Sequence, residues 1–386
     1  MNYYYCDDGK LFVLGANDYF NLGLGHIKDV SSPQLLMTDI NIKIIATSKT
    51  HTLILKTDGK LYICGTCIKI YKTPQLLIQD QNIKSIHCGY KFSLIYKNNG
   101  ELLVLGKNDE GQLGFGNYEH MPMLTLLMND KNIKQISCGT AHCMILKNNG
   151  ELYTFGDNQS GQLGLGSNIK YKVIPTLLMT NINIKSVSCG DDYSTILMNN
   201  CDIFTFGSNS VNQLGCRITQ GIMTTNIFKP ILNDSNIIKD VKSISNGSNH
   251  TLILKHNGDL IGYGSNRSKQ LFTSKFLHTE IWIPTLIKND TTIKHIYCGC
   301  YSSMILKYDG ELIISQNGDN NYISIKFENI KAINGMEIMP SWSRITHKYY
   351  TETSQQQIFT FLLIIKRNEL IKPPKYIFIN LINLFL

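Results

Sequence analysis

The chain has 386 residues, of which 43% are hydrophobic and 17% charged, a balance that excludes a disordered polymer and suits a packed globular protein. Its formal net charge of +8 is mildly basic. The chain is also rich in Ile, Asn and Lys, so compositional bias accounts for part of that charge, which alone does not point to nucleic acid.

No apolar run approaches the roughly 20 residues that a membrane helix needs. The opening MNYYYCDDGK has no basic start followed by an apolar stretch, so no secretory signal is expected. Eleven cysteines without such a signal predict a reducing compartment. The expectation is a soluble intracellular protein, cytoplasmic or nuclear, without membrane contact.

In chain order, a turn dipeptide followed by an apolar run recurs seven times. Asp8-Gly9 precedes KLFVLG, Asp58-Gly59 precedes KLYICG, Asn99-Gly100 precedes ELLVLG and Asn149-Gly150 precedes ELYTFG. Asn200-Cys201, Asn257-Gly258 and Asp309-Gly310 then precede DIFTFG, DLIGYG and ELIIS. Successive second residues lie 50, 41, 50, 51, 57 and 52 apart. A period of this size marks a solenoid, propeller or array, and a unit made only of strands and tight turns selects a propeller.

The fourth unit shows the pattern most cleanly. Ile133–Gly139 reads as a first strand, His142–Lys147 as a second, Glu151–Gly156 as a third, and Pro175–Met179 as a fourth. Asn149-Gly150 suits a type I′ hairpin, which needs positive φ at both central residues. Pro33, Pro74, Pro175, Pro230 and Pro284 are expected to enter the fourth strand, because proline cannot donate to a ladder. Cys201 stands where glycine is wanted, at a strain cost of order 1 kcal/mol.

The two ends of the repeat region are out of phase. Residues 2–6 read as a second strand with no first strand before it, and Ile330–Asn334 supplies an orphan first strand. Pairing the two closes a ring and removes free sheet edges. The expected fold is therefore an all-β, seven-bladed β-propeller over residues 1–338. It is followed by a short α-helical tail over 339–386.

Two loops carry a family resemblance. Gly106-Lys-Asn-Asp-Glu-Gly-Gln-Leu-Gly114 and Gly156-Asp-Asn-Gln-Ser-Gly-Gln-Leu-Gly164 resemble the G-x-N-x-x-G-Q-L-G signature of the regulator of chromosome condensation repeat. Cys138-Gly-Thr-Ala-His142 is similar to its CG-x-x-H block, with His51 and His250 at the same position. Asn21-Leu-Gly23, Gln213-Leu-Gly215 and Gln270-Leu271 are partial copies, and the second unit lacks the loop. The resemblance covers about residues 1–338 and implies a propeller that binds proteins. For the founding member it implies guanine-nucleotide exchange on a Ran-like GTPase.

The motifs give little support to catalysis. The glycine clusters lack the helix N-terminus that a phosphate loop needs. His51, His142 and His250 share a position taken elsewhere by Phe92, Tyr193 and Ser302, so they read as packing or hydrogen-bonding residues. Cys88, Cys138, Cys189 and Cys298 fill one repeat slot that wants a small residue, and the CxxC of Cys64 and Cys67 has no second pair to complete a zinc site. No catalytic residue, cofactor or metal is expected.

Two features remain as candidates for function. The residue after the first Ile or Val of each unit is lysine: Lys43, Lys84, Lys134, Lys185, Lys242, Lys294 and Lys331. Equivalent blade positions lie on a circle, so these amines form a ring able to attract an acidic partner, unless they are merely solvated strand-start lysines. In the tail, Trp342, His347, Pro374, Ile377, Leu381 and Leu384 resemble a short F-box-like segment that docks a ubiquitin-ligase adaptor. The alternative there is two helices packed on the propeller rim.

The expected function is a non-enzymatic, monomeric interaction scaffold, with ubiquitin-substrate adaptor as its specific form. The alternatives are nucleotide exchange on a Ran-like small GTPase, with the Ile218–Asn226 and Ser235–Asp240 insertions as wedge, and chromatin binding. The last would need basic arms, and the short N-terminus offers none.

Overall fold

The computed structural model describes residues 2–5, 10–166, 168–216, 224–230, 239–273, 279–309, 311–315 and 322–325. Within them the chain forms seven antiparallel sheets, each a meander whose strands pair in sequence order. The N-terminal blade has three strands, Asn2–Tyr5, Lys10–Gly15 and Val30–Thr38. The other six have four each. Among the described residues the first blade thus has no first strand, and Ile330–Asn334, expected to supply it, lies outside them. So does the tail from residue 339 onward.

First strands of successive blades lie side by side, which places them innermost: Ile42–Thr47, Ile83–Gly89, Ile133–Cys138, Ile184–Cys189, Val241–Asn246 and Ile293–Cys298. Fourth strands such as Ile70–Gln79 and Tyr171–Thr180 form the outer edge and contain no buried residue. Hydrophobic clusters fill the spaces between neighbouring blades, so the core is a set of interfaces rather than one centre. No helix among the described residues is long and apolar enough to cross a membrane.

The hairpin turns differ from the type I′ expectation. Gly59, Gly100, Gly150 and Gly258 take positive φ of 80°, 100°, 83° and 86°, whereas the Asp or Asn before each does not. Gly59 N–H donates to Lys56 O at 3.1 Å, which describes a three-residue loop ending in a left-handed residue. The Asx side chain instead caps the following strand. Asp58 Oδ1 accepts from Lys60 N–H at 3.1 Å, and Asn149 Oδ1 from Glu151 N–H at 3.1 Å. This side-chain bond is why Asp and Asn interchange there. Glycine is required at position 59 for a second reason, since a Cβ would lie 2.6 Å from the Asp80 carbonyl carbon. The prolines also differ from expectation. Pro33, Pro74, Pro175 and Pro284 sit within bulges of the outermost strand, not at its start, and Pro230 closes its strand.

Blades are joined by side-chain bonds across each seam. His51, His142 and His250 reach Ser93, Ser194 and Ser303 of the following blade through Nε2 at 2.6, 2.9 and 2.7 Å. Each serine hydroxyl already donates elsewhere, to Cys88 Sγ, Gln162 O and Cys298 Sγ. The histidine is therefore the donor, and it is neutral. Full burial agrees, pushing each imidazole down to about 3. Tyr193 takes the same slot in the fifth blade and donates to His250 O at 2.7 Å.

The ring lies flat on the glycine of CG-x-x-H: a Cβ at Gly139 would meet His142 Cε1 at 2.2 Å. The next layer is main chain. Tyr90 N–H bonds Thr140 O, Thr140 N–H bonds Asp191 O, and Asp191 N–H bonds Ser248 O, at 3.2, 3.0 and 3.2 Å.

The glycine-rich loops are structural, as expected. Asn108 Oδ1 and Asn158 Oδ1 accept from Leu113 N–H and Leu163 N–H at 2.9 and 2.8 Å, seating two fully buried leucines. Cys64 and Cys67 are buried free thiols, and burial pushes Cys67 up to about 12. The described residues contain no group of three metal-ligating side chains.

This packing is open to test at two positions. Cys201 adopts φ 71°, so Cys201→Gly is expected to raise stability by up to about 1 kcal/mol in denaturant titration; a clear loss would mean its packing beside Ile244 outweighs the strain. Because the buried histidines stay neutral down to about 3 while unfolded ones protonate near 6.5, stability is present above about 6.5 and drains away as pH falls. His142→Phe, copying Phe92, is expected to reduce that slope by about 1.4 kcal/mol per pH unit.

Candidate functional site: the axial lysine ring

Each first strand begins with a buried Ile or Val and then a lysine. In all six blades whose first strand is described the pairing register slips at that lysine: between Ile42 and Ile44, Ile83 and Ser85, Ile133 and Gln135, Ile184 and Ser186, Val241 and Ser243, and Ile293 and His295. The lysine is the extra residue of a β-bulge, a device that re-aims a side chain. Lys43, Lys84, Lys134, Lys185, Lys242 and Lys294 therefore occupy one position at one end of the innermost strands. Lys331 lies outside the described residues.

The amines are not freely solvated. Lys134 Nζ donates to Ile184 O at 3.1 Å and Lys185 Nζ to Val241 O at 3.0 Å, each reaching into the next blade. Lys84 sits 4.5 Å from the Tyr96 ring centre and Lys242 lies 3.3 Å from Tyr308 Oη; both residues are only 9% exposed. Burial lowers Lys43, Lys134, Lys185 and Lys294 from the ordinary lysine range, and the Lys242 charge lowers Lys294 further. At the same end, Asp39, Asp80 and Asp130 pair with Lys56, Lys97 and Lys147 at the ends of second strands, at 2.6, 3.0 and 3.1 Å. The ring is thus a circle of partly desolvated amines, and three carboxylates at its end of the propeller are engaged by another set of lysines.

The opposite end of the axis has different chemistry. Lys49, in the second blade, forms an ion pair with Asp191 in the fifth and lies 5.4 Å from the Tyr301 ring centre of the seventh. That strut crosses the axis. Beside it, burial first, then Asp191 and Asp157, pushes the Asp192 carboxyl up to about 6. Neither the bulges nor this pair could be read from spacing, although the uniform Ile-Lys start was the visible trace of the bulge. Trp342, His347, Pro374, Ile377, Leu381 and Leu384 lie outside the described residues. Of the two insertions, only residues 224–226 and 239–240 are described.

Residues 67–340 match the RCC1-like domain, and residues 8–55 match the regulator of chromosome condensation (RCC1) repeat. An RCC1 domain-containing protein of Dictyostelium discoideum is 30% identical over 175 residues, 38% of this chain and 34% of its own length. The human probable E3 ubiquitin-protein ligase HERC6 is 27% identical over 323 residues, 78% of this chain and 26% of its own length. The chain therefore spans about a quarter to a third of the length of these curated relatives. Prp20p from Saccharomyces cerevisiae superposes with a TM-score of 0.71 at 19% identity, covering 88% of this chain and 92% of that one, a likeness of fold.

The raised Asp192 carboxyl has a testable consequence. An unfolded aspartate ionises near 3.9, so between about 4 and 6 the folded chain holds a proton that the unfolded chain has lost. Stability from this group is then present at acid pH and lost as pH rises through about 6. Asp192→Asn is expected to stabilise by about 1–2 kcal/mol at pH 7.5 and by almost nothing at pH 4 in paired thermal melts.

Proposed function

The chain belongs to the RCC1-repeat family, and on that premise we propose that it is a non-enzymatic protein-interaction scaffold whose recognition face is the lysine-ringed end of the propeller. The observation that carries this reading is the β-bulge placed under the lysine of all six blades whose first strand is described. A composition-driven lysine needs no bulge to aim it. The partner that fits is an acidic protein surface, because amines held part-way out of water gain most when a carboxylate approaches. Rigid seams keep the amines in place before binding, which limits the ordering cost.

In its specific form the reading makes the protein a substrate adaptor for ubiquitin ligation: the propeller holds the substrate and residues 339–386 dock the ligase. The similarity to HERC6 over 78% of this chain supports a place in that chemistry. Nucleotide exchange on a Ran-type GTPase is the competing reading, and its wedge would fall in Ile218–Asn226.

Changing Lys134, Lys185 and Lys242 together to Gln is expected to weaken an acidic partner, recovered with the full chain from native cells, by about tenfold and to flatten its salt dependence. The triple variant is also expected to lose about 1 kcal/mol of stability for each seam bond removed, so binding is compared on folded protein. Binding of every partner at parental strength and salt slope would refute the ring. Purified protein is expected not to accelerate nucleotide release from a Ran-type GTPase. Strong dose-dependent acceleration would replace the scaffold reading with exchange.

A further inference from the structure

The second blade lacks the glycine-rich loop, and a cluster of two tyrosines and a lysine is built at the resulting gap; a second edge-on tyrosine pair, Tyr118 with Tyr171, stands at the seam of the third and fourth blades. The second blade passes from its third strand, Lys60–Thr66, to its fourth, Ile70–Gln79, through only three residues, where the first, third, fourth, fifth and sixth units carry a long loop in sequence. Across the resulting gap Tyr19 of the first blade meets Tyr90 of the third. Their rings stand at 85° with centres 6.4 Å apart, and their hydroxyls are 3.5 Å apart. Lys91 Nζ lies 5.4 Å from both ring centres. The short turn forms the floor: Thr66 Oγ1 donates to Tyr19 O at 3.0 Å and Cys67 Sγ to Lys91 O at 3.1 Å.

Lys91 is held in a backbone conformation that lysine seldom adopts, φ 62°. Thr50 Oγ1 of the second blade accepts its N–H at 3.1 Å and its carbonyl accepts from Lys107 N–H of its own blade at 2.8 Å, so bonds on both sides of the residue hold it there. Non-glycine residues held in this region concentrate at functional sites. All three cluster residues are half-buried, and Ile70, the ladder partner of Thr66, is 60% exposed. Lys69 lies in the short turn, Lys72 Nζ is 5.7 Å from the Phe20 ring centre and Lys91 stands by both tyrosines, with the Asp18 carboxylate near Tyr19, so these lysines favour an anionic occupant.

We propose that the gap over the second blade, walled by Tyr19, Tyr90 and Lys91, is a docking notch for an extended acidic peptide carrying an aromatic side chain. The peptide's ring would pack against the tyrosines and Ile70, and its carboxylates would face the lysines. Tyrosine beside a cation is the composition of interface hot spots. The notch lies on the loop end opposite the lysine ring, and the inference does not rest on that ring. A ring of equivalent lysines reads charge. The notch exists once among the described blades, and so can give one orientation to whatever binds.

The test uses the full chain and a short fluorescein-labelled glutamate peptide with one central phenylalanine, read by anisotropy. Lys91→Gly removes the amine while relieving the left-handed strain, and is expected to weaken binding about tenfold or more with an unchanged or higher melting temperature. Lys91→Asn, which tolerates the same backbone region, is expected to behave alike in binding. Tyr90→Ala should lose binding, whereas the Lys134, Lys185, Lys242 triple change should leave it intact. The proposal is overturned if Lys91→Gly and Lys91→Asn bind at parental strength. It is equally overturned if both lower the melting temperature by several degrees, which would make the cluster a strut, or if a glutamate-free lysine peptide or an oligothymidylate binds more tightly.

Discussion

A propeller blade cannot bury its faces alone, so the whole structure depends on the seams between blades, and the seam is held by a buried neutral hydrogen bond. His142 donating to Ser194 is the pattern, repeated at His51 and His250 and taken over by Tyr193 in the fifth blade. A satisfied bond of this kind contributes about 1 kcal/mol net, but an orphaned polar group in the same place costs more. The three histidines therefore act less as glue than as a demand for correct registry. A blade displaced along its neighbour would strand both the imidazole and the hydroxyl.

The same demand explains the rest of the repeat. Glycine in CG-x-x-H is there because the ring lies on it. The serine after the histidine slot receives the preceding blade's proton. The loop asparagine folds the glycine-rich segment so that Gln162 O meets Ser194 of the next blade. These signature residues thus serve, directly or through a neighbour in the same repeat, contacts to the next blade. Features outside that pattern stand out: lysines on bulges at one end, and Tyr19, Tyr90 and Lys91 where a loop is missing at the other.

Those two features use opposite logics. The lysine ring multiplies one side chain around an axis, and its members crowd one another, as the effect of Lys242 on Lys294 records. Such a surface favours any sufficiently acidic partner and sets association rate more than identity. The notch departs from repetition and combines ring faces, a cation and a strained backbone in one place. Function on a shared fold resides in such local departures.

Much of this architecture is legible in the sequence, because its causes are local. The left-handed glycine of four hairpins, the alternation of buried residues, the small residue at Cys138 and its equivalents, and the shared histidine slot all follow from conformation and burial within a single repeat. The type I′ expectation fails because Asn-Gly is equally suited to a loop in which only glycine takes positive φ, and the proline expectation fails because a bulge on an outer strand tolerates proline in mid-strand. Tertiary structure alone decides the rest. Lys49 meets Asp191 at a separation of 142 residues, and Tyr19 meets Tyr90 at 71. Whether a repeat-start lysine points into water or along a seam depends on a one-residue slip that composition does not encode. Ring closure sets which distant loops share an axis, and only in that geometry do charge and aromatic surface become a site.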